Sequence, residues 1–210
     1  MEQRDFNGEA ATWDEVPGRV KVANDIADAL LKEISLTPEK DVLDFGCGTG
    51  LLTLRLSPLA RSVTGVDSST GMLDILKAKI EKNNIRNVQT RHLDLERGDE
   101  LRGSYDLVIS SMTLHHVRET GPLLERLIEV LAPGGCLCIA DLDLEGGEFH
   151  DDNTGVFHYG FDRGMLCSAF SQAGLENSRV FTAAEIVKPA KNSVLRTFTV
   201  FGVIGCKRKT

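Results

Sequence analysis

Apolar positions first recur at helical spacing in Ala23, Ile26, Ala27, Leu30, Leu31 and Ile34, the i, i+3, i+4 pattern of a helix with one buried stripe. Pro17 stands ahead of them, where a proline suits a first helical turn. A short apolar run over Asp41–Phe45 then reads as a buried strand, and it runs into Gly46-Cys47-Gly48-Thr49-Gly50. Leu51, Leu52, Leu54 and Leu56 predict a short helix that ends near Pro58. A second strand is expected over Ser62–Val66, stopping at Asp67. Met72, Leu76 and Ile80, with Leu73 beside them, form the apolar row of another helix, closed by Asn83-Asn84. Strands follow over Val88–Leu93 and Tyr105–Ser111, then a helix over Pro122–Leu131. Pro133-Gly134-Gly135 ends that helix, and Cys136–Leu142 is a fifth strand.

Apolar strands alternating with amphipathic helices predict an α/β fold, a parallel sheet covered on both faces. After Asp143 the rhythm changes. A glycine-rich acidic stretch, LEGGEFHDDNTG, leads to a helix near Phe161–Ala173 and two β-rich runs, Ser178–Val187 and Val194–Cys206. Pro189, Lys191 and Asn192 lie between those runs, so they are expected to pair as an antiparallel hairpin. At the other end, Phe6 and Trp13 are apolar residues in a polar leader that either frays or folds over a ligand. With no repeat, low-complexity tract or linker in view, residues 1–210 read as one domain.

Composition narrows the picture modestly. The chain has 41% hydrophobic and 26% charged residues, ordinary for a globular protein. No apolar run reaches membrane-spanning length, and MEQRDFNGEA lacks the basic-then-apolar shape of a secretory leader. The expectation is a cytoplasmic protein without membrane insertion. A formal net charge of −7 argues against a nucleic-acid partner, and Lys207-Arg208-Lys209 reads as a solvated terminus. The five cysteines, Cys47, Cys136, Cys138, Cys167 and Cys206, are odd in number and argue against a disulfide framework. Cys136 and Cys138 read as structural cysteines of a buried strand.

Candidate chemistry gathers after the first strand. In open α/β sheets, ligands bind outside the carboxyl ends of the strands. Three glycines in five positions there permit a tight turn and close ligand approach, and the following helix offers free N–H groups. Asp67 ends the second strand about 20 positions after Gly46, the spacing at which an acid meets a ribose hydroxyl. Dinucleotide enzymes use G-x-G-x-x-G around a pyrophosphate. Here the spacing is G-x-G-x-G, preceded by Asp44. A carboxylate there repels a pyrophosphate and suits a ligand bearing ammonium and sulfonium charges, so electrostatics favour S-adenosylmethionine over NAD.

VLDFGCGTG resembles the first motif of class I S-adenosylmethionine-dependent methyltransferases, particularly their ubiquinone-biosynthesis-like small-molecule group. The resemblance runs on through GVDSSTGML, RHLDLE, YDLVISSMTLHHV and LAPGGCLCIADL, covering about Val42–Leu142. It implies a Rossmann-like doubly wound fold. The sheet would be mostly parallel and seven-stranded, with an antiparallel C-terminal hairpin and an N-terminal helical lid. It implies a lid and helix over 1–36, a cofactor-binding core over 41–142 and a substrate-side part over 143–210. It further implies that Asp44, Phe45 and the loop Gly46, Cys47, Gly48 and Gly50 line the methionine portion of S-adenosylmethionine. Asp67 would take the ribose hydroxyls, with Ser68 and Met72 beside the adenine. Asp94 would accept from the adenine amino group with Leu95 nearby, and Ser110 would lie near the transferred methyl. Taken singly, Asp67 reads as a helix N-cap and Asp94 as a turn acid; after this glycine loop, the binding roles are preferred.

Methyl transfer from a sulfonium needs positioning and water exclusion more than a protein nucleophile, and some acceptors need a general base. His115 is the candidate base or substrate ligand, set against a side chain that simply packs inward. For His116, packing or capping the adjoining helix is preferred. In Phe149–Gly160, the residues His150, Asp151, Asp152 and His158 include metal-ligand types. A polar substrate-side loop is preferred there, with no metal expected, and Tyr159 is a further substrate-contact candidate. Trp13, Asp14 and Arg19 resemble the contacts of a cofactor lid, with Trp13 as a plain anchor of the helix the alternative. The expected partner is a small-molecule methyl acceptor. Ser110-Ser111-Met112-Thr113 lacks the proline pair and aromatic of DNA amino-methylating relatives. A protein acceptor and a non-catalytic S-adenosylmethionine-binding protein stay open.

Overall fold

The computed structural model describes residues 4–190 and 193–209. Its leader forms α1, Phe6–Glu9, and a 3₁₀ turn, Ala10–Glu15; α2 then spans Pro17–Glu33 with the proline in its first turn. Strands β1 (Asp41–Phe45), β2 (Ser62–Asp67), β3 (Val88–His92) and β4 (Tyr105–Ser111) alternate with α3 (Leu51–Leu56), α4 (Thr70–Lys82) and α5 (Thr120–Glu129). β5 (Leu131–Leu142) is followed by α6 (Arg163–Gln172) and the long strands β6 (Glu176–Pro189) and β7 (Leu195–Cys206).

The sheet order is β3-β2-β1-β4-β5-β7-β6. β1 to β5 run parallel, while β7 pairs antiparallel with both β5 and β6. This is the doubly wound, seven-stranded sheet with a closing hairpin that the sequence predicts. The order reverses at β1, whose neighbours are β2 and β4, so the crevice between the loops after β1 and β4 is the switch point where ligands enter such sheets.

Side-chain alternation along the strands divides the core into two faces. Leu43, Phe45, Val108, Ile139 and Phe201 pack with Leu123 and Leu127 of α5 and Phe170 of α6. Their neighbours Val42, Val63, Leu107 and Ile109 pack with Ala27 and Leu30 of α2 and Leu52 and Leu56 of α3. In α2 the buried stripe is Val22, Ile26, Ala27 and Leu30; Ala23 and Leu31 flank it and Ile34 caps the helix.

Four sequence expectations need correction. α5 ends at Glu129, not Leu131, because Leu131 already bridges to Tyr105. Pro133-Gly134-Gly135 therefore lies inside β5, at an irregularity between the Tyr105 and Leu107 pairings. The β5–β7 register sets Cys136 opposite Cys206, and the two form a disulfide. Cys136 is thus bonded, and only Cys138 is the buried structural thiol expected. The basic tail is also tied down: Lys207 Nζ donates to Leu131 O at 3.1 Å and to Ile128 O at 3.4 Å, and its backbone N–H to Gly135 O at 2.8 Å. Lys191 and Asn192 of the hairpin turn lie outside the described residues.

Candidate functional site

The loop after β1 is bent by three left-handed glycines, Gly46 (φ 73°), Gly48 (φ 53°) and Gly50 (φ 82°). A Cβ on Gly46 would meet Thr113 Oγ1 at 2.3 Å, and one on Gly50 would meet Leu76 Cδ1 at 2.2 Å. These two are small because the protein packs against them. Gly48 differs: a Cβ there meets nothing within 4 Å, so it is the loop's open side.

Two carboxylates hold this loop. Asp67 Oδ2 accepts from Gly48 N–H and its Oδ1 from Ser69 N–H, both at 2.8 Å. It therefore ties the glycine loop to the start of α4, while the N-cap of that helix is Ser69 rather than Asp67. Burial pushes the Asp67 carboxyl above its ordinary range. Asp44, 1% exposed, accepts from Thr53 Oγ1 at 2.6 Å. Burial, opposed by the Thr53 hydrogen bond and reinforced by nearby Asp67, raises it from 3.8 to about 6. Burial likewise drives the Cys47 thiol well above 9, with Asp44 and Asp67 adding to it, so it is no nucleophile.

The remaining candidates follow the strand ends. Ser68 is exposed, and its carbonyl receives a hydrogen bond from His92 Nε2 at 3.0 Å; Met72 is 2% exposed in the α4 wall. Asp94, just past β3, pairs with Arg97 at 3.2 Å while its N–H donates to Asp99, and Leu95 packs on the core edge. Phe45 is buried beneath the loop. Ser110, at the end of β4, is 1% exposed and its Oγ has no hydrogen-bond partner among the described residues, at a cost of about 1–3 kcal/mol unless a ligand or water meets it.

Beyond Ser110 the backbone turns sharply. Met112 takes φ 53°, which for a long side chain stores about 1–3 kcal/mol. The turn carries His115 back over the end of β5, where its Nδ1–H donates to Asp141 Oδ1 at 2.7 Å. Both residues are fully buried, and His115 Nε2 is left without a partner among the described residues. Burial favours the neutral acid, yet His115 and two backbone N–H groups hold Asp141 below the ordinary carboxylate range. His115 therefore packs inward, as one of its two readings expects, and keeps Nε2 unpartnered among the described residues.

His116 does not cap α5, whose N-cap is Glu119. Its Nδ1–H donates to Gly155 O at 2.8 Å, and its ring stands 4.1 Å from that of His115. The segment after β5 divides. His158 Nε2–H is spent on Val117 O, Asp152 accepts from Thr154, and Asp151 is 98% exposed. Only His150 turns inward, with its ring 5.1 Å from His115 and 5.6 Å from His116. Burial and the adjacent imidazoles lower His116 to about 4 and His150 to about 3. Tyr159 is exposed, with its carbonyl tied to Glu145 N–H.

The leader folds over both groups. Asp14 accepts from Thr49 Oγ1 at 2.6 Å and pairs with Lys79 of α4. Asn7 Oδ1 accepts from Gly71 N–H and Ser69 Oγ at the start of α4. Phe6 meets the His116 ring edge-on at 5.0 Å, and Arg19 stacks on Trp13 at 3.7 Å. A separate shallow cleft, lined by Glu33, Leu36, Lys40, Asp106 and Gly134, opens at the amino ends of the strands and holds none of these groups.

Residues 42–135 match the methyltransferase domain family. An uncharacterized methyltransferase of Schizosaccharomyces pombe is 31% identical over 159 residues, taking in 69% of this chain and 56% of the relative. A ubiquinone biosynthesis O-methyltransferase of Shewanella pealeana is 32% identical over 139 residues, 62% of this chain and 57% of the relative. The chain thus spans a little over half the length of these curated relatives. In fold it is similar to a SAM-dependent methyltransferase from Aquifex aeolicus, with a TM-score of 0.62 at 22% identity, covering 86% of this chain and 88% of that one.

Proposed function

We propose that this chain, whose residues 42–135 match the methyltransferase domain family, transfers a methyl group from S-adenosylmethionine to a small-molecule acceptor. The observation that carries the reading is a row of acids, Asp44, Asp67 and Asp94, at the carboxyl ends of the adjacent strands β1, β2 and β3, flanking a left-handed glycine loop. The residues fit the cofactor. Gly48 offers an open backbone face, Ser110 Oγ is buried without a partner among the described residues, and the buried Asp44 and half-buried Asp67 carboxyls suit a cationic ligand.

When bound, S-adenosylmethionine supplies a methyl group already activated on a sulfonium. The chain's task is then to bind, orient and exclude water. Asp44 and the loop Gly46–Gly50 would hold the methionine portion, with Phe45 and Cys47 among the residues lining it. Asp67 takes the ribose hydroxyls, with Ser68 and Met72 beside the adenine. Asp94 and Leu95 would bound the adenine end, and Ser110 would lie near the transferred methyl. His115, aligned by Asp141, acts on the acceptor's reacting group.

A small acceptor is supported by the closed leader, which leaves the histidine side of the crevice beneath Phe6, and by the net charge of −7. The Shewanella relative is a ubiquinone biosynthesis O-methyltransferase, which supports an oxygen acceptor within the ubiquinone-biosynthesis-like group. Calorimetric titration with S-adenosylmethionine, S-adenosylhomocysteine and NAD tests the cofactor. The two sulfur compounds should bind and NAD should not, and Asp67→Ala should remove most of that affinity with the fold intact. A folded protein that binds neither sulfur compound overturns the reading; near-wild-type affinity in Asp67→Ala overturns the ribose assignment alone.

A further inference from the structure

We infer that His115, His116 and His150 form a binding site for one borderline divalent transition-metal ion of the Zn²⁺ class, with open coordination positions facing the acceptor side of the crevice. One nitrogen from each ring lies within 4.8 Å of the other two. Around tetrahedral Zn²⁺, with Zn–N about 2.0–2.1 Å, nitrogens stand about 3.3 Å apart, so the set has to close by at most about 1.5 Å. His150 sits in the glycine-rich stretch following β5, where small side-chain and backbone shifts supply that movement.

Three features point to a cation rather than to simple packing. First, His115 Nε2 is buried in a 1% exposed residue with no partner among the described residues, and His150 Nε2 is likewise buried without one among them. Two orphaned nitrogens on rings whose centroids stand 5.1 Å apart are costly unless something meets both. Secondly, the far nitrogens of two rings are already fixed as a metal site requires. His115 Nδ1–H is held by the Asp141 carboxylate and His116 Nδ1–H by the Gly155 carbonyl, which leaves each Nε2 free to bind. Metal-ligating histidines almost always carry such a carboxylate or carbonyl partner, which sets the tautomer and raises ligand basicity. Thirdly, the ligand set is three imidazoles with one buried carboxylate behind them, the donor chemistry of a zinc-type centre with an open position.

The charges around the cluster do not oppose it strongly. Arg4 is committed to Glu9 through two hydrogen bonds, at 2.6 and 2.9 Å, and its third nitrogen reaches His150 Nδ1 only at 3.4 Å. Coordination through His150 Nε2 places a proton on Nδ1 and releases that long contact. Lys188 is engaged with the Phe149 carbonyl at 2.6 Å.

This site rests on the methyl-transfer reading only for its purpose. An acceptor hydroxyl bound to the ion loses its proton to solvent, as metal-bound water does near neutral pH. The resulting oxygen attacks the methyl carbon, the carbon–sulfur bond breaks and its electron pair stays on sulfur. His115 then acts through the ion rather than as a free base.

Metal binding can be read without cofactor or acceptor. The full chain, stripped by chelator, is titrated with Co²⁺ as a spectroscopic stand-in for Zn²⁺, and metal content is measured after gel filtration. One ion per chain with a visible ligand-field band is expected. Affinity should fall at least 100-fold in His150→Ala and in His116→Ala, and stay unchanged in His158→Ala and His92→Ala. Asp141→Asn should weaken binding by about 10–100-fold. His150 and His116 are only partly buried, so their variants test the site even if His115→Ala does not fold. Absence of a band at excess Co²⁺, or a band that survives His150→Ala, overturns the site and leaves His115 as a direct base. Failure of cofactor binding instead overturns the methyl-transfer reading and leaves the metal result standing.

Discussion

Asp44 illustrates how one residue sets opposing demands on stability and binding. Its carboxyl ionises near 3.8 in the unfolded chain and at about 6 when buried. Between those values the folded protein holds a proton that the unfolded chain has lost, so stability falls as pH rises through this window. Above pH 6 the buried charge costs about 3 kcal/mol. Asp44→Asn should therefore unfold at a higher temperature than the parent at pH 7.5, with the difference gone at pH 4. A cationic ligand reverses the preference, because it favours the ionised form. Cofactor affinity should fall about tenfold per pH unit below 6, with a proton released on binding. Calorimetry in buffers of different ionisation enthalpy measures that proton, and a pH-independent affinity would remove Asp44 from the site. At this scale the glycine loop and its acids were legible, because each has a distinct residue type at a fixed spacing. The partnership of His115 with Asp141 was not. Their contact depends on how Met112 bends the chain, and no local pattern records that.

Among the elements, β1 and β4 carry the bounds read from the sequence, since each is an apolar run stopped by a change of residue type. The α5–β5 border was misread because Val130 and Leu131 continue the apolar pattern of α5 while belonging to a different element. Apolar periodicity alone cannot divide them. His150 escaped notice as a neighbour of His115 for a related reason: it stands on the segment after β5, and only the fold brings that segment over the end of β4. The leader was read as either frayed or folded over a ligand, and its anchors at Thr49, Lys79, Gly71 and His116 decide for the folded state. Whether it acts as a lid is tested by Trp13, the protein's single tryptophan. Saturating S-adenosylhomocysteine should reduce collisional quenching of its fluorescence by iodide or acrylamide. Unchanged quenching would make Trp13 a plain anchor for α2.

For the whole molecule, the Cys136–Cys206 bridge joins β5 to the end of β7 and closes a loop of 70 residues that includes α6 and both hairpin strands. A crosslink of that span is worth about 4 kcal/mol through the unfolded chain's entropy. Cys206→Ser should lower the unfolding midpoint by roughly 10 °C under oxidising conditions and leave the reduced protein unaffected. Equal midpoints for parent and variant without reductant would show that the bridge does not form. The pairing was invisible in the sequence because a β5–β7 register sets it, and an odd cysteine count pointed the other way. The leader has a different molecule-wide consequence. Asp14 and Asn7 close it on the cofactor side, while Phe6 and Arg4 close it on the histidine side. One segment thus lies over both sides of the crevice. If that segment opens as a lid in the proposed methyl transfer, both products depend on the same movement, and turnover should slow with solvent viscosity.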